Sequence, residues 1–149
     1  MTVHELNPRT AFGTRIRIEA DGTLGKHKRT FFRIAVSGFG AQRPSDARLR
    51  LHVADIGGAG SISGGRIRTV SSCFWNETTM TWITQPPVDG PVVSSVGPVK
   101  EGDTVEFRLT PAILGDGVYC FALETDAWND VIYRSRESRT LGPEVLLAR

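Results

Sequence analysis

The sequence predicts an all-β chain, a jelly-roll β-sandwich of two antiparallel sheets, on three observations. Short runs of period-2 alternation recur along it, clusters of turn-forming residues separate them, and no segment sustains a 3.6-residue apolar period over three helical turns. Ten such runs in 149 residues need two packed layers. A chain of this length forms one domain, residues 1–149, that buries about two-thirds of its unfolded surface.

The first runs are RIRIE (15–19), TFFRIAV (30–36), ARLRLHV (47–53) and GRIRTV (65–70), in which basic residues alternate with aliphatic ones. TMTWI (79–83), PVVSSV (91–96) and TVEFRL (104–109) follow. VYCFALET (118–125), VIYRSR (131–136) and EVLLA (144–148) complete the set. Between them lie DGTLG, GFGAQRPSD, DIGGAGSISGG, QPPVDGP, KEGD, GDG, WND and LGP, rich in the residues that turns demand. DIGGAGSISGG lacks the GK[ST] ending and following helix of a phosphate loop, so it reads as a hairpin loop. TPAILGDG has Thr110 as a cap and Pro111 at a first helical position, which predicts one helical turn.

Apolar residues make up 40% and charged residues 23%, and no run approaches the ~18 apolar residues of a membrane span, which argues against membrane insertion. The opening MTVHELNPRTAF lacks the basic start and apolar stretch of a signal peptide. Two placements stay open: cytoplasmic, or extracellular or cell-surface as part of a longer secreted chain. Cys73 and Cys120 are too few for a disulfide framework and lack metal-ligand spacing. Buried free thiols are expected, with a single bridge as the alternative. Residues 1–70 hold 12 Lys/Arg against 5 Asp/Glu, and residues 71–149 hold 6 against 11. Such asymmetry points to a charged partner.

One ordered series of segments carries a family resemblance. Ala47, Leu49, Arg50, Leu51 and Val53 fill an A-x-L-R-L-x-V strand, and Trp75, Glu77, Thr81, Trp82 and Pro86 fill a W-x-E-x-x-x-T-W-x-x-x-P block. Gly117, Tyr119, Phe121, Ala122 and Leu123 fill a G-x-Y-x-F-A-L strand, and Tyr133, Ser135, Arg136 and Glu137 a Y-x-S-R-E strand. Over residues 31–149 the chain resembles the DNRLRE domain family, also classed as carbohydrate-binding module family 96 and related to disaggregatase repeat domains. NPRTAFGT is similar to the family's opening loop. Two departures stand out: the strand before that loop is reduced to TVHEL, and Ala35 replaces the usual Asp. The resemblance implies a β-sandwich that binds carbohydrate without catalysis, attached to polysaccharide-degrading or cell-surface proteins. The short first strand is expected to leave a sheet edge exposed.

The candidate ligand-binding residues are Arg15, Arg17, Arg33, Arg48, Arg50, His52, Arg66, Arg68 and Trp128. Alternation points the arginines of each strand to one face, and neighbouring strands would gather them into a row. Guanidinium forks bind carboxylates and sulfates bidentately, so the expected ligand is an acidic polysaccharide of uronate or sulfated type. The competing reading is a solvated face whose arginines pair with acids across the sheet. Nucleic acid is disfavoured, because these faces lack the aromatics on which bases stack. Trp128, in the loop ETDAWND, is the tryptophan expected to be exposed, either stacking on a sugar or covering a sheet edge.

Asp126, Asn129 and Asp130 in the same loop offer oxygen ligands for a structural calcium ion; ordinary turn formation is the alternative. His52 and Tyr133 could serve a polysaccharide lyase, with an exposed histidine on a binding face as the plainer reading. Spacing selects no pair of carboxylates for glycoside hydrolysis. Arg136 and Glu137 face opposite sides of their strand, and an inward Arg136 is expected to pair with Glu77. Trp75 and Trp82, seven apart, have opposite parities, and Pro86 and Pro87 then end strand pairing, so this block reads as packing. The alternative function is a structural or assembly module whose basic face docks other protein subunits, even the acidic half of a second copy.

Overall fold

A computed structural model describes residues 1–149 as a β-sandwich of ten antiparallel strands without a helix. The strands are β1 (Thr2–His4), β2 (Arg17–Ala20), β3 (Lys28–Val36), β4 (Asp46–His52), β5 (Gly65–Val70), β6 (Val92–Val96), β7 (Thr104–Arg108), β8 (Gly117–Glu124), β9 (Val131–Arg134) and β10 (Glu144–Ala148). One layer is a five-stranded sheet in the order β1-β3-β8-β5-β6. The other consists of β10-β4-β7 and the ribbon β2-β9, joined where Val53 bridges Tyr133. Most connections cross from one layer to the other. The long excursion from β5 to β6 instead returns to the same sheet.

Alternation dictates which face each strand buries. Ile34, Leu49, Leu51, Ile67, Phe107, Phe121, Leu123 and Tyr133 point between the layers in one core cluster of 19 buried residues. A second cluster sits on the outer face of the five-stranded sheet, where Val3, Phe31, Val70, Met80, Cys120 and Ala122 pack beneath Trp75, Trp82 and Val88. The tryptophan block is therefore a cover laid over a sheet.

Three local expectations fail. TMTWI forms turns, because short side chains capture the backbone donors that a ladder would use. Asn76 Oδ1 accepts from Thr78 N at 2.8 Å, and Thr84 Oγ1 accepts from Thr81 N at 2.9 Å. No helix follows Thr110; the chain makes a single turn closed by Ala112 N to Leu109 O at 2.8 Å, and the Thr110 hydroxyl bonds β4 at Ala47 N instead. The cysteines are not free: Cys73 bridges Cys120 with Cα atoms 5.7 Å apart, since the chain leaving β5 passes back over β8.

β1 pairs only with Thr30, Arg29 and Lys28, so the edge of β3 beyond Phe31 has no neighbouring strand. Inner faces of β3 and β10 are partly uncovered there, and Val145 is 40% exposed.

Candidate functional site

The predicted arginine row divides into separate clusters, because β4 and β5 belong to different layers. On β4, Arg48 reaches Asp46 and Glu106 at 2.7 Å each, while Arg50 reaches Glu106 at 2.8 Å and Glu144 at 3.3 Å. Hydrogen bonds from Arg48 and then Arg50 hold the Glu106 carboxyl below its usual range. On the outer face of the five-stranded sheet, Arg66, Arg68 and Arg29 converge on the buried carboxylate of Glu124 at 3.1, 3.3 and 3.4 Å. Arg66 also forks onto both oxygens of Asp126, whose carboxyl is shifted down by those bonds. These four predicted ligand-binding arginines are committed to acids, all of them in the second half of the chain except Asp46. The charge asymmetry of the sequence is met inside one molecule.

Arg15, Arg17 and Arg33 have no such partners. Arg17 faces Arg134 across the β2-β9 ribbon. The same register continues past the strand ends, where Ser135 N donates to Ile16 O at 2.9 Å and Ser135 Oγ to Arg15 O at 2.5 Å. It brings Arg15 to the level of Arg136. Two R-x-R segments thus oppose one another, and like charges at facing positions oppose pairing unless something anionic lies across them.

The ladder opens into a cleft of about 210 Å³ at the uncovered edge, lined by Arg15, Arg33, Arg136, Phe12, Trp75 and Glu77 among others. Aromatic rings fix two of its cations. The Arg15 guanidinium lies 4.7 Å from the centroid of Phe12, and that of Arg33 4.4 Å from the centroid of Trp75. Arg33 Nη2 also donates to the carbonyls of Cys73, at 2.6 Å, and Trp75. The indole N–H of Trp75 is buried without an acceptor from the protein. Gly13 lets the Phe12 loop rest on the backbone of Glu77, with whose carbonyl a Cβ would collide.

The expected pair of Arg136 with Glu77 is present, but it is not inward: the Arg136 side chain is 72% exposed and also meets Glu137 at 3.3 Å. Arg15, Arg33 and Arg136 line the opening with two carboxylates, Glu77 and Glu137, and Arg17 and Arg134 lie two residues further along the ribbon from Arg15 and Arg136. Sequence reasoning missed Arg134, although VIYRSR carries the same R-x-R alternation as the chosen strands.

Other predicted residues lie elsewhere. His52 is buried rather than exposed, its Nδ1 2.9 Å from Thr104 Oγ1. Tyr133 points into the core and donates to Gly64 O at 2.7 Å, and burial pushes its phenol far above the usual range. The two occupy opposite faces of one layer, so they do not form a lyase pair. Trp128 is 73% exposed, but it precedes β9 and so sits at the far end of the ribbon from the arginine ladder. Its loop is braced by Thr23 Oγ1, which donates to Trp128 O at 2.6 Å. The three loop oxygens proposed for calcium diverge: Asp126 binds Arg66, Asn129 accepts from Ser61 at 3.1 Å, and Asp130 meets Lys28 at 3.0 Å. No three acidic, histidine or cysteine side chains converge on a metal-sized site.

The chain is thus a two-layer β-sandwich with oriented guanidiniums and aromatic rings around a cleft at its open edge. The chain belongs to carbohydrate-binding module family 96, whose model matches residues 1–149. No curated protein matches it significantly.

Proposed function

We propose that the protein is a non-catalytic module that binds an acidic polysaccharide, of uronate or sulfated type, across the ladder of Arg15, Arg17, Arg134 and Arg136 and into the Arg33 cleft. The observation that carries this reading is the facing pair of Arg17 and Arg134, which, like Arg15 and Arg33, lack the acid partners that neutralise Arg48, Arg50, Arg66 and Arg68. A planar carboxylate or sulfate fits the guanidinium fork, and each charge-assisted hydrogen bond contributes roughly 1.5–3 kcal/mol. Phe12 and Trp75 hold Arg15 and Arg33 in place before ligand arrives, which lowers the entropy lost on binding.

Retention in gels containing alginate, a sulfated galactan or neutral glucan tests the reading. Retardation by the anionic polymers, falling with salt, is expected; equal mobility in all three gels overturns it. The assembly alternative loses its main support, because the basic and acidic halves that would dock head to tail pair within one chain. Secretion or surface attachment remains part of the proposal, as the setting in which such a polymer is met.

A further inference from the structure

We propose that the Cys73–Cys120 disulfide positions Arg33 for ligand, an inference that rests on the reading above and assigns this bond a role in recognition. Cys120 is the residue of β8 directly opposite Arg33 of β3. Both project from the outer face of the five-stranded sheet, where the bridge ties the tryptophan cover down. Cys73, the other end of the bridge, supplies from its own carbonyl one of the two acceptors that fix Arg33 Nη2; Trp75, two residues on, supplies the second acceptor and the ring beneath the guanidinium. One covalent bond therefore sets the position of all three groups that aim this cation. Nη2 is occupied, while Nε and Nη1 remain to meet an oxyanion.

The bridge is separable from the fold. The cover between β5 and β6 has no regular secondary structure, and it rests on the small outer cluster rather than on the 19-residue core. Its base is closed independently, by Ser71 N to Asp89 Oδ1 at 3.0 Å and Gly90 N to Thr69 O at 3.0 Å. Loss of the disulfide frees the Cys73–Trp75 segment and leaves the sandwich folded. Arg33 then samples rotamers over the cleft, and the entropy of ordering it falls on the binding step.

The test is a double-mutant cycle read with an alginate tetrasaccharide, using C73S/C120S, R33A and the combination. Each of the first two should weaken binding about tenfold, and the combination should weaken it no further. Losses that multiply, or C73S/C120S binding like the parent protein, overturn the inference, since general destabilisation leaves the Arg33 contribution intact in the folded fraction. Dithiothreitol-reduced parent protein provides the same comparison without substitution. A ligand-independent reading separates failure of this inference from failure of the polysaccharide assignment. The Arg33 Nε–H resonance should be shifted by the Trp75 ring in the oxidised protein and collapse toward the free-arginine position in C73S/C120S, with core amides unmoved. An Arg33 resonance indifferent to the disulfide overturns the proposal, whether or not the parent protein binds uronate.

Discussion

Arg17 and Arg134 stand opposite each other on the β2-β9 ribbon with no carboxylate between them. Everywhere else that the chain writes R-x-R in a strand, an acid from a neighbouring strand closes the pair. Arg48 and Arg50 share Glu106, and Arg66 and Arg68 share Glu124. The ribbon is the exception at Arg17 and Arg134, and the proposed ligand face rests on that exception.

Glu124 is a structural hub. Its side chain is 9% exposed and neutralises Arg29, Arg66 and Arg68, so removal leaves Arg29 and Arg68 without a carboxylate, while Arg66 keeps Asp126. The E124A variant should lose about 2–3 kcal/mol of stability in urea unfolding, with affinity for uronate oligomers unchanged in the folded protein.

The depressed carboxyls predict a specific acid sensitivity. Glu106 is held down by Arg48 and Arg50, and Asp126 by Arg66, so each favours the folded state while ionised. A lowered folded-state value gives stability that is present above the unfolded-state range and lost as pH falls through it. The carboxylate contribution should be lost, and the melting temperature decline, as pH falls below about 5. In E106Q the decline should be shallower.

Tyr133 tests whether the core or the surface governs binding. Y133F leaves the buried Gly64 carbonyl without its 2.7 Å hydrogen bond and should cost about 1–2 kcal/mol of stability. Calorimetric affinity for the tetrasaccharide should match that of the parent protein.

Trp128 lies beyond the opposite end of the ribbon, which is itself about 10 Å from Arg17 and Arg134 at a strand rise of ~3.3 Å per residue. W128A should bind a uronate tetrasaccharide with unchanged affinity. The divergent partners of Asp126, Asn129 and Asp130 likewise lead us to expect that chelation with EDTA leaves the melting temperature where it was.

Much of this architecture was legible in the sequence. Alternation located nine strands, and the opposite parities of Trp75 and Trp82 marked their block as packing, as the outer cluster bears out. Alternation also turned Arg15, Arg17, Arg48, Arg50, Arg66 and Arg68 away from the core. Which sheet each strand joins depends on long-range pairing that no local pattern records, so the split of Arg48 from Arg66 was hidden. The acids that silence those arginines lie 56 to 94 residues away in sequence, apart from Asp46 beside Arg48. TMTWI misled because it has strand composition, while its threonines and Asn76 bond locally. The cysteines, 47 residues apart, carried no spacing signal for their bridge.

The most direct test of the account compares two substitution sets in affinity electrophoresis through alginate at low salt. R33A/R134A/R136A removes three arginines of the proposed face, of which Arg33 and Arg134 have no carboxylate partner, and R48A/R50A removes a pair already held by Glu106. The account predicts that the first set abolishes retardation and that the second leaves it within about twofold of the parent protein. Retardation lost in R48A/R50A and kept in R33A/R134A/R136A would contradict it.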